Sequence, residues 1–517
     1  MPPAHPVVRK VYLDLPQPSL KDNTADLDRL KKQVRQTLAI ENLLVPFALI
    51  PQWVSLLRSS AYRVTASVSL APPIPRLIDV EAGDTSSRLF GLAVDLGTTR
   101  LAYQLWDLKE GRLLDETGSD NPQIRYGADI LTRIHRAGTP EGLQGLKEAV
   151  IGEINRVTQT LCQVHNLSPR EILAVTVAGN TTMTHLFLGL DPSSICREPY
   201  IPKINSLDPL TAQELGLDLH PRAWAYVFPN VGSYLGGDVL AGILHSGLYQ
   251  QEGLSLLVDV GTNAEVVLGN AEWLIGCAGA AGPALEGGVA RMGMTAAEGA
   301  IDRVRIDPRT QELTYTVIGG GRPVGICGSG LIDLTAELFT AGIIDLRGKL
   351  NRKKAGRRWT ETDGQPAFLV VPAEETAHGQ AIVLSQVDLD VLLRSKAAMY
   401  TILTTLTQTV GYDLKDIERF YVAGAFGNHI DPRRAVILGM LPDLPLERYI
   451  LLGNTSLKGA ADILLDAGKL AEVKKIAERI TYLEMNVNQD FMNRFSAARF
   501  IPHTDPSLFP SVPLNRD

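Results

Sequence analysis

The chain has 517 residues, of which 45% are hydrophobic and 21% are charged. These proportions are close to the average of globular proteins and exclude a disordered tail or a coiled-coil rod. A formal net charge of -7 argues against nucleic-acid binding, and no apolar run reaches the ~18 residues that cross a bilayer. The four cysteines are scattered, which fits a reducing compartment. We therefore expect a cytoplasmic protein without nucleic-acid or membrane partners.

The amino-terminal part of the chain predicts a small α/β module. Val8–Leu15 alternates polar and apolar residues like a strand, and Asp22–Thr37 has the apolar spacing of a helix. Asn23 or Thr24 is the expected N-cap of this helix. A second strand is predicted at Tyr62–Leu70, and the proline-rich run after it reads as the start of a linker.

An internal repeat follows the linker. GLAVDLGTTRLAYQLWD at Gly91–Asp107 matches LSLLVDVGTNAEVVLGN at Leu254–Asn270, and AVTVAGNTTM at Ala174–Met183 matches RFYVAGAFGN at Arg419–Asn428. Buried strands that alternate with helices indicate an α/β fold, and two copies of the pattern predict two duplicated lobes. The predicted boundaries are 1–87 for the module and its linker, 88–250 for lobe one, and 251–517 for lobe two with insertions and a carboxy-terminal tail.

The insertions are expected in the second lobe. Gly179 follows Asp95 by 84 residues, whereas Gly424 follows Asp259 by 165. The polar stretch Arg347–Ala377 accounts for part of the excess and predicts an exposed excursion. The proline-rich tail that begins near residue 501 is likewise predicted to lie along the surface.

The first copy of the repeat carries a pattern suited to binding phosphate. A buried strand ends at Asp95, and Gly97 permits a tight turn after it. The amides and hydroxyls of Thr98 and Thr99 are then able to point at an oxyanion. Because a carboxylate beside a phosphate needs a cation between them, Asp95 is predicted to hold Mg²⁺ through water.

The second copy offers the same residues at Asp259, Gly261, Thr262 and Asn263. Asp259 is the second predicted magnesium residue, again through water. One such hairpin is weak evidence, because a strand followed by a tight turn is common. Two in matching context predict a clamp that would grip a polyphosphate from both sides.

The paired hairpins resemble those of the ASKHA superfamily, which contains acetate and sugar kinases, actins and seventy-kilodalton heat-shock chaperones. The resemblance implies a duplicated two-lobe ATPase fold that binds ATP with Mg²⁺. It also makes VAGAFGN the adenosine loop, in which Gly424 and Gly427 would let the backbone approach the nucleotide. Asp238, near the start of a small-residue helix, would orient water or metal; the alternative is a helix-capping residue without chemistry.

A further glycine turn, GICGSG, leads into a helix at Gly328, Ser329 and Gly330. A turn of this kind favours contact with a nucleotide at the helix start. The alternative is close packing of the helix on a strand, and both interpretations stay open.

Longer strings narrow the resemblance. NPQIRYGADILTRI, VAGNTTMTHLFLGLDPSSI, PNVGSYLGGD, GAAGPALEGG and VAGAFGNHIDP together are similar to the reductive activators of corrinoid proteins. The opening KVYLDLPQPSLKDN resembles that family's middle domain. The resemblance implies ATP-driven reduction of Co(II) to Co(I) on a corrinoid iron–sulfur protein or a methyltransferase corrinoid subunit, and a homodimer.

The family's leading [2Fe-2S] domain, with its C-x4-C-x2-C spacing, has no counterpart in this sequence. We therefore expect the chain to bind nucleotide and partner but to need an electron carrier from elsewhere. Two alternatives remain: a small-metabolite kinase, and a dehydratase-activator ATPase in which Cys277 and Cys327 would serve a shared [4Fe-4S] cluster. Buried thiols that pack among glycines are the favoured interpretation of these cysteines.

Overall fold

The computed structural model describes residues 5–261, 263–279, 290–307, 310, 312–424, 430–485 and 489–513. Two compact units divide the chain: Met1–His245 with Ser456–Glu478, and Ser246–Thr455 with Arg479–Asp517. Residues 456–478, which the sequence analysis assigns to lobe two, thus pack within the first unit. Every helix in the described part of the chain falls short of the length and apolarity that a membrane crossing requires.

The small amino-terminal module is a three-stranded antiparallel sheet packed against two helices. Its elements are β1 (Val8–Asp14), α1 (Asp26–Leu38), α2 (Ile50–Ser59), β2 (Arg63–Ser69) and β3 (Arg76–Ala82), with sheet order β1-β2-β3. The core contains Trp53, whose side chain is 1% exposed. The predicted strands and helix are confirmed, and the segment expected to be linker instead contributes β3.

The predicted cap of α1 is wrong. The helix begins at Asp26, and its N-cap residue is Ala25, which makes no side-chain cap. Asp22 instead accepts from the backbone amide of Thr24 in a turn before the helix. The turn-forming tendency of these polar residues is real, but it closes a turn four residues before the helix rather than the helix itself.

The first unit is built on a six-stranded sheet of order β6-β5-β4-β7-β9-β8. The elements are β4 (Phe90–Leu96), β5 (Arg100–Asp107), β6 (Arg112–Asp120), α3 (Ile130–Arg136), α4 (Pro140–Val164), β7 (Ile172–Gly179), α5 (Thr181–Leu188), β8 (Leu210–Thr211), α6 (Ala212–Leu215), β9 (Trp224–Val227) and α7 (Gly237–Ser246). Strand β4 pairs antiparallel with β5 and parallel with β7, so that Leu96 lies opposite Gly179.

The second unit contains a sheet of order β20-β19-β10-β11-β12-β21. Its elements begin with β10 (Ser255–Val260), β11 (Ala264–Gly269), β12 (Leu274–Gly279), β13 (Ala300–Ile306), β14 (Leu313–Val317), β15 (Gly325–Ile326), α8 (Gly328–Thr340), α9 (Arg352–Ala355), β16 (Trp359–Thr362) and β17 (Gln365–Val371). They continue with β18 (Ile382–Ser385), α10 (Gln386–Thr409), β19 (Arg419–Ala423), α11 (Pro432–Leu438), β20 (Tyr449–Gly453), β21 (Ile480–Tyr482) and α14 (Gln489–Ala498). Between β20 and β21 the chain forms α12 (Thr455–Leu465) and α13 (Lys469–Arg479), whose residues 456–478 belong to the first unit.

The two large sheets share one topology. In each, an antiparallel run of three strands is extended from its first strand by two parallel strands: β6-β5-β4-β7-β9 in the first and β12-β11-β10-β19-β20 in the second. The matched sequence copies occupy equivalent strands, namely β4 with β10 and β7 with β19. The duplication predicted from the repeat is therefore confirmed by strand order and direction.

Two segments expected on the surface are instead folded into the second unit. The stretch Arg347–Ala377 includes β17, which forms a three-stranded sheet with β16 and β18 and buries Phe368 at 1% exposure. Ile501 and Phe509 of the tail are also buried. The first stretch is rich in polar residues and the tail is rich in proline, but a few apolar side chains in each are enough to anchor it.

Two buried carboxylates of α8 bind the edge of β13. Asp333 Oδ2 accepts from the amide of Val304 at 3.4 Å, and Glu337 Oε2 accepts from the amide of Ile306 at 3.0 Å. The two acids are four residues apart, so they lie on one face of the helix and reach alternate amides of the strand. They take the place of a further strand along this part of β13.

The module and the first unit's sheet are joined by Arg222. Its Nε donates to the carbonyl of Ile78 at 2.6 Å, and its Nη2 donates to Asp79 at 2.9 Å. The guanidinium also lies 5.8 Å from the centre of the Trp53 ring, within the range of a cation–π contact. His220 adds a contact to Asp79 at 3.1 Å.

Replacing Arg222 with alanine should destabilise the protein by about 2–4 kcal/mol, because Asp79 loses its guanidinium partner while it stays largely buried. Thermal unfolding measures the change. Arg63→Ala is the matched control, since Arg63 forms only an exposed ion pair with Asp14 at 3.8 Å; it should shift the free energy of unfolding by less than about 0.5 kcal/mol. Equal losses in the two variants would contradict this account.

Asp333 should make stability fall as the pH rises. Burial raises the pKa of its carboxyl to about 6, with Asp431 adding to the shift. A carboxyl with a raised pKa binds its proton more tightly in the folded state, so stability declines from about pH 4 to pH 6 and stays lower above. Asp333→Asn should therefore gain about 1–3 kcal/mol relative to wild type between pH 4 and pH 8. A pH-independent difference in urea unfolding would refute this.

Candidate functional site

Three consecutive carbonyl groups of the turn between β4 and β5 accept hydrogen bonds from Asn121 and Arg133, which hold the turn from one side. Asn121 donates from its Nδ2 to the carbonyl of Gly97 at 2.9 Å, and from its backbone amide to that of Thr99 at 2.8 Å. Arg133 Nη1 donates to the carbonyl of Thr98 at 2.8 Å. We call Gly97–Thr99 the first hairpin loop.

These bonds fix the direction of the loop amides. In a planar trans peptide the N–H points opposite to the C=O of the same unit. Because the carbonyls of Gly97 and Thr98 point towards Asn121 and Arg133, the amides of Thr98 and Thr99 point away from them. Amides turned to one side of a tight loop are what an oxyanion requires. The amides of Thr98 and Thr99 are thus turned to one side of the loop, and their contact with an oxyanion stays a prediction.

Neither Asn121 nor Arg133 was among the predicted site residues. Both are buried, at 1% and 0% exposure, and both belong to the NPQIRYGADILTRI string. The signal available in the sequence was a carboxamide at the end of β6 and a cation within a largely polar helix. Their ligands are backbone carbonyl oxygens, which carry no side-chain signature in the sequence.

Asp95 stands at the end of β4 beside the first hairpin loop. Its Oδ1 accepts from the hydroxyl of Ser456 at 2.7 Å. Ser456 is buried in the first turn of α12, a helix that also packs closely on α7: an added Cβ at Gly459 would come within 2.1 Å of the carbonyl of Ala241. Ser456 is a third functional candidate, after Asn121 and Arg133, that is absent from the predicted site residues.

Asp238 lies in the first turn of α7, which begins at Gly237, so it is inside the helix rather than its N-cap. Its Oδ1 accepts from the amide of Val239 at 2.8 Å. Removal from water, with a smaller contribution from the nearby charge of Asp95, raises the pKa of this carboxyl to about 7. The structure therefore brings Asp95 and Asp238 together, as two predicted catalytic residues of one site.

The start of α7 approaches the hairpin side of the sheet very closely. An added Cβ at Gly236 would lie 2.4 Å from the Cα of Asn180 and 2.6 Å from Asp238 Oδ1. Asn180 in turn donates from Nδ2 to the hydroxyl of Thr98 at 3.1 Å. Because Gly236 has no side chain, the segment that carries Asp238 packs directly against Asn180, which in turn contacts the first hairpin loop.

The site in the first unit fits a divalent cation. Two carboxylates held near each other repel, which adds to the effect of burial on the pKa of Asp238, and a bound cation relieves that repulsion. Oxygen ligands of this kind suit Mg²⁺, which usually keeps several waters. Among the residues that the structure describes, no group of three or more His, Cys, Asp or Glu side chains is arranged to hold a metal.

The equivalent position in the second unit has the same construction. Asp259 at the end of β10 lies opposite Ala423, the last residue of the parallel strand β19. Gly424 follows with φ of +83°, and an added Cβ there would come within 2.6 Å of Asp259 Oδ1 and 2.5 Å of the Val260 carbonyl. A glycine is therefore required beside Asp259.

The rest of the second hairpin is only partly described. Gly261 donates from its amide to the carbonyl of Asn263 at 2.9 Å, which closes the turn, and Asn263 is exposed. Thr262 lies outside the described residues, as does Gly427 with most of the predicted adenosine loop. Their proposed contacts with nucleotide stay predictions.

Gly328, Ser329 and Gly330 form the first turn of α8, and all three are buried. An added Cβ at Gly330 would lie 2.3 Å from the Ile301 carbonyl of β13, so packing of helix on strand explains this glycine. The Ser329 hydroxyl lies 3.2 Å from the thiol of Cys327. Nothing in this turn excludes a nucleotide contact, which stays a prediction.

The two cysteines of the glycine-rich region are buried, as expected of packing thiols. The Cys327 thiol donates to the carbonyl of Ile301 at 3.3 Å. Cys277 lies in β12 at 0% exposure. Cys196 is the exposed cysteine of the chain, and Cys162 is buried within α4.

Three descriptions of one protein family match nearly the whole sequence. They are the RACo linker region at residues 3–87, the RACo middle region at residues 90–251, and the C-terminal domain of RACo, the ASKHA domain, at residues 253–513. The chain belongs to the RACo family. Both resemblances, to the ASKHA fold and to the corrinoid activators, are confirmed. The RACo description gives the name linker to the module that the sequence analysis likened to a middle domain.

Named relatives agree with the RACo assignment. The chain is 31% identical over 494 residues to the corrinoid activation enzyme RamQ of Eubacterium limosum, covering 94% of this chain and 81% of that protein. It is 28% identical over 446 residues to the [Co(II) methylated amine-specific corrinoid protein] reductase of Methanosarcina barkeri, covering 78% and 76%. A solved reductive activator for corrinoid, iron–sulfur protein superposes with a TM-score of 0.92 at 41% identity, covering 98% and 81%.

Replacing Gly424 with alanine should weaken ATP binding, because the new methyl group displaces Asp259. Gly411→Ala is the matched control: its φ of +80° imposes similar backbone strain, yet no atom lies within 4 Å of the added Cβ. Each variant should lose about 1 kcal/mol of stability from the backbone, and Gly424→Ala should lose more. ATP titration by calorimetry separates them. Equal ATP affinities in the two variants would remove the role assigned to Gly424.

Proposed function

We propose that this chain is an ATP-dependent enzyme that reductively activates a corrinoid protein. In the proposed reaction one electron from a reductant converts Co(II) of the corrinoid to Co(I), while ATP and water give ADP and phosphate. The observation that carries the proposal is the match to a reductive activator along 98% of the chain, at 41% identity and a TM-score of 0.92.

The site of the first unit supports ATP as the driving ligand. The amides of Thr98 and Thr99 are turned to one side, and Asp95 with Asp238 offers oxygen ligands for a cation. ATP supplies a polyphosphate that releases free energy on hydrolysis. We propose that the first hairpin loop binds phosphate oxygens and that Asp95 holds Mg²⁺ through water.

The second unit is proposed to contribute the equivalent residues. Asp259 would hold Mg²⁺ through water, and Gly261, Thr262 and Asn263 would bind phosphate. Gly424 keeps space beside Asp259 open, which supports this assignment. Gly328, Ser329 and Gly427 complete the proposed nucleotide contacts.

Asp238 is proposed to orient the attacking water. Its raised pKa keeps a proton on the carboxyl more readily than on an ordinary aspartate. A bound cation would favour the ionised form, which then accepts a hydrogen bond from water. Ser456 donates a hydrogen bond to Asp95 Oδ1 and so helps to orient that carboxylate.

ATP hydrolysis can drive the reduction of Co(II) only if the nucleotide-bound states of the protein differ in their affinity for the corrinoid protein. A ligand shifts an equilibrium only by as much as its affinities for the two states differ. We propose that the ATP-bound and ADP-bound forms bind the corrinoid protein with different affinity. Homodimerisation is part of the proposal and is tested by light scattering on the purified protein.

The test combines the purified chain, Mg-ATP, a Co(II) corrinoid protein and a reduced [2Fe-2S] ferredoxin, which supplies the electron carrier that the chain is expected to need. Co(I) should appear in the absorption spectrum, and the Co(II) electron paramagnetic resonance signal should decline, only when ATP is present. Asp95→Asn should lower both ATP hydrolysis and Co(I) formation by about tenfold or more, since it removes a charge from the cation site. Co(I) formation that ignores ATP would refute the proposal.

Asp208→Asn is the control for charge removal, because Asp208 is an exposed carboxylate in a loop before β8. It should leave both rates unchanged. Removing Mg²⁺ with a chelator should abolish ATP hydrolysis by the wild-type protein. Transfer of phosphate from ATP to acetate or a sugar would favour the kinase alternative instead.

A further inference from the structure

Arg133 is a buried cation that has no matching anion among the residues that the structure describes. Its guanidinium is 0% exposed, and it donates from Nε to the carbonyl of Gly127 at 2.9 Å and from Nη1 to that of Thr98 at 2.8 Å. Within the described residues it forms no ion pair with a carboxylate, and its Nη2 has no hydrogen-bond partner. Asp129 favours its charged form through a charge interaction without a hydrogen bond.

This arrangement costs the folded protein free energy. A charge removed from water without a counterion destabilises the folded state even when its donors are partly satisfied. Burial lowers the pKa of Arg133 to about 10, which still leaves the guanidinium protonated at neutral pH. The fold therefore keeps a full positive charge at this position despite the cost.

Holding the loop does not require that charge. The carbonyls of Gly97 and Thr99, on either side of Thr98, are both bound by the neutral groups of Asn121. A carboxamide would serve the Thr98 carbonyl in the same way. The positive charge is thus in excess of what the hydrogen bonds of the first hairpin loop demand.

The charge acts on the opposite side of the loop. Arg133 Nη1 binds the carbonyl of the peptide unit whose N–H belongs to Thr99, and that N–H points the other way. A cation at the carbonyl end polarises the peptide and makes the amide a stronger donor. In a buried setting the cation's field is also weakly screened.

We propose that Arg133 provides the positive charge that makes the first hairpin loop bind a nucleoside polyphosphate in preference to a less charged nucleotide. It acts through the Thr98–Thr99 peptide and is a positioning residue that does not touch the ligand. The inference rests on the proposed function, in which this loop binds the phosphates of ATP.

The experiment compares Arg133→Lys with Arg133→Gln. Lysine keeps the charge, and glutamine keeps a hydrogen-bond donor without it. Binding of ATP, ADP and adenosine is measured by calorimetry on the full chain, with thermal unfolding as a check of folding. Arg136→Gln is the matched control, since Arg136 lies exposed on the same helix α3.

Arg133→Gln should lower ATP affinity by about tenfold or more, equivalent to about 1.4 kcal/mol. The loss should be smaller for ADP and smallest for adenosine. Arg133→Lys should keep most of the preference for ATP, and Arg136→Gln should match wild type. Where adenosine binds too weakly to measure, the ratio of ATP to ADP affinity gives the same comparison.

An equal loss for all three ligands in Arg133→Gln would show that Arg133 only supports the fold, and the inference would fail. If that variant does not fold, Arg133→Lys decides: a folded lysine variant without the wild-type preference for ATP over ADP overturns it. Wild-type protein that binds no ATP would instead refute the proposed function. Wild-type ATP binding that glutamine leaves intact overturns the inference alone.

Discussion

In both units the strand that carries the site aspartate is paired in parallel with a strand that runs into a glycine. Leu96, next to Asp95, lies opposite Gly179, and Asp259 lies opposite Ala423, next to Gly424. Added Cβ atoms at the two glycines would come within 2.6 Å of Leu96 Cβ and of Asp259 Oδ1. Parallel pairing therefore places the carboxylate and the hairpin at one edge of each sheet, and the glycines keep that edge open. The positions of the hairpins, of the start of α7 and of the site carboxylates all depend on this strand register.

The sequence predicted the parts of this arrangement that repeat. The matched strings around Asp95 and Asp259 share an apolar strand, an acid and a glycine–threonine turn, and the sheets confirm their equivalence. Such patterns are local, so one chain segment contains the whole signal. The small module is predictable for the same reason, whereas the prolines before β3 indicate a linker where the structure has a strand.

The residues that sequence reasoning missed act over long separations or on the backbone. Ser456 is 361 residues from Asp95, and no local pattern predicts that a serine at the start of α12 reaches that carboxylate. Asn121 and Arg133 bind carbonyl oxygens, which every residue possesses. An arginine on a short polar helix is ordinarily exposed, and only the packing around α3 makes Arg133 buried. The buried parts of residues 347–377 and of the tail likewise depend on tertiary packing.

The assignment of residues 456–478 to the first unit has a consequence for how the protein is made. A ribosome releases the chain from its amino terminus, and domains usually begin to fold in that order. Strand β7 is complete at residue 179, yet Thr176 gives its hydroxyl hydrogen to the carbonyl of Ala460, which emerges 284 residues later. His245 likewise lies within hydrogen-bond distance of Asp462, which is also translated much later. The first unit cannot finish its core until nearly the whole of the second has been translated, so the nascent protein acquires its complete carboxylate site as one of its last folding events.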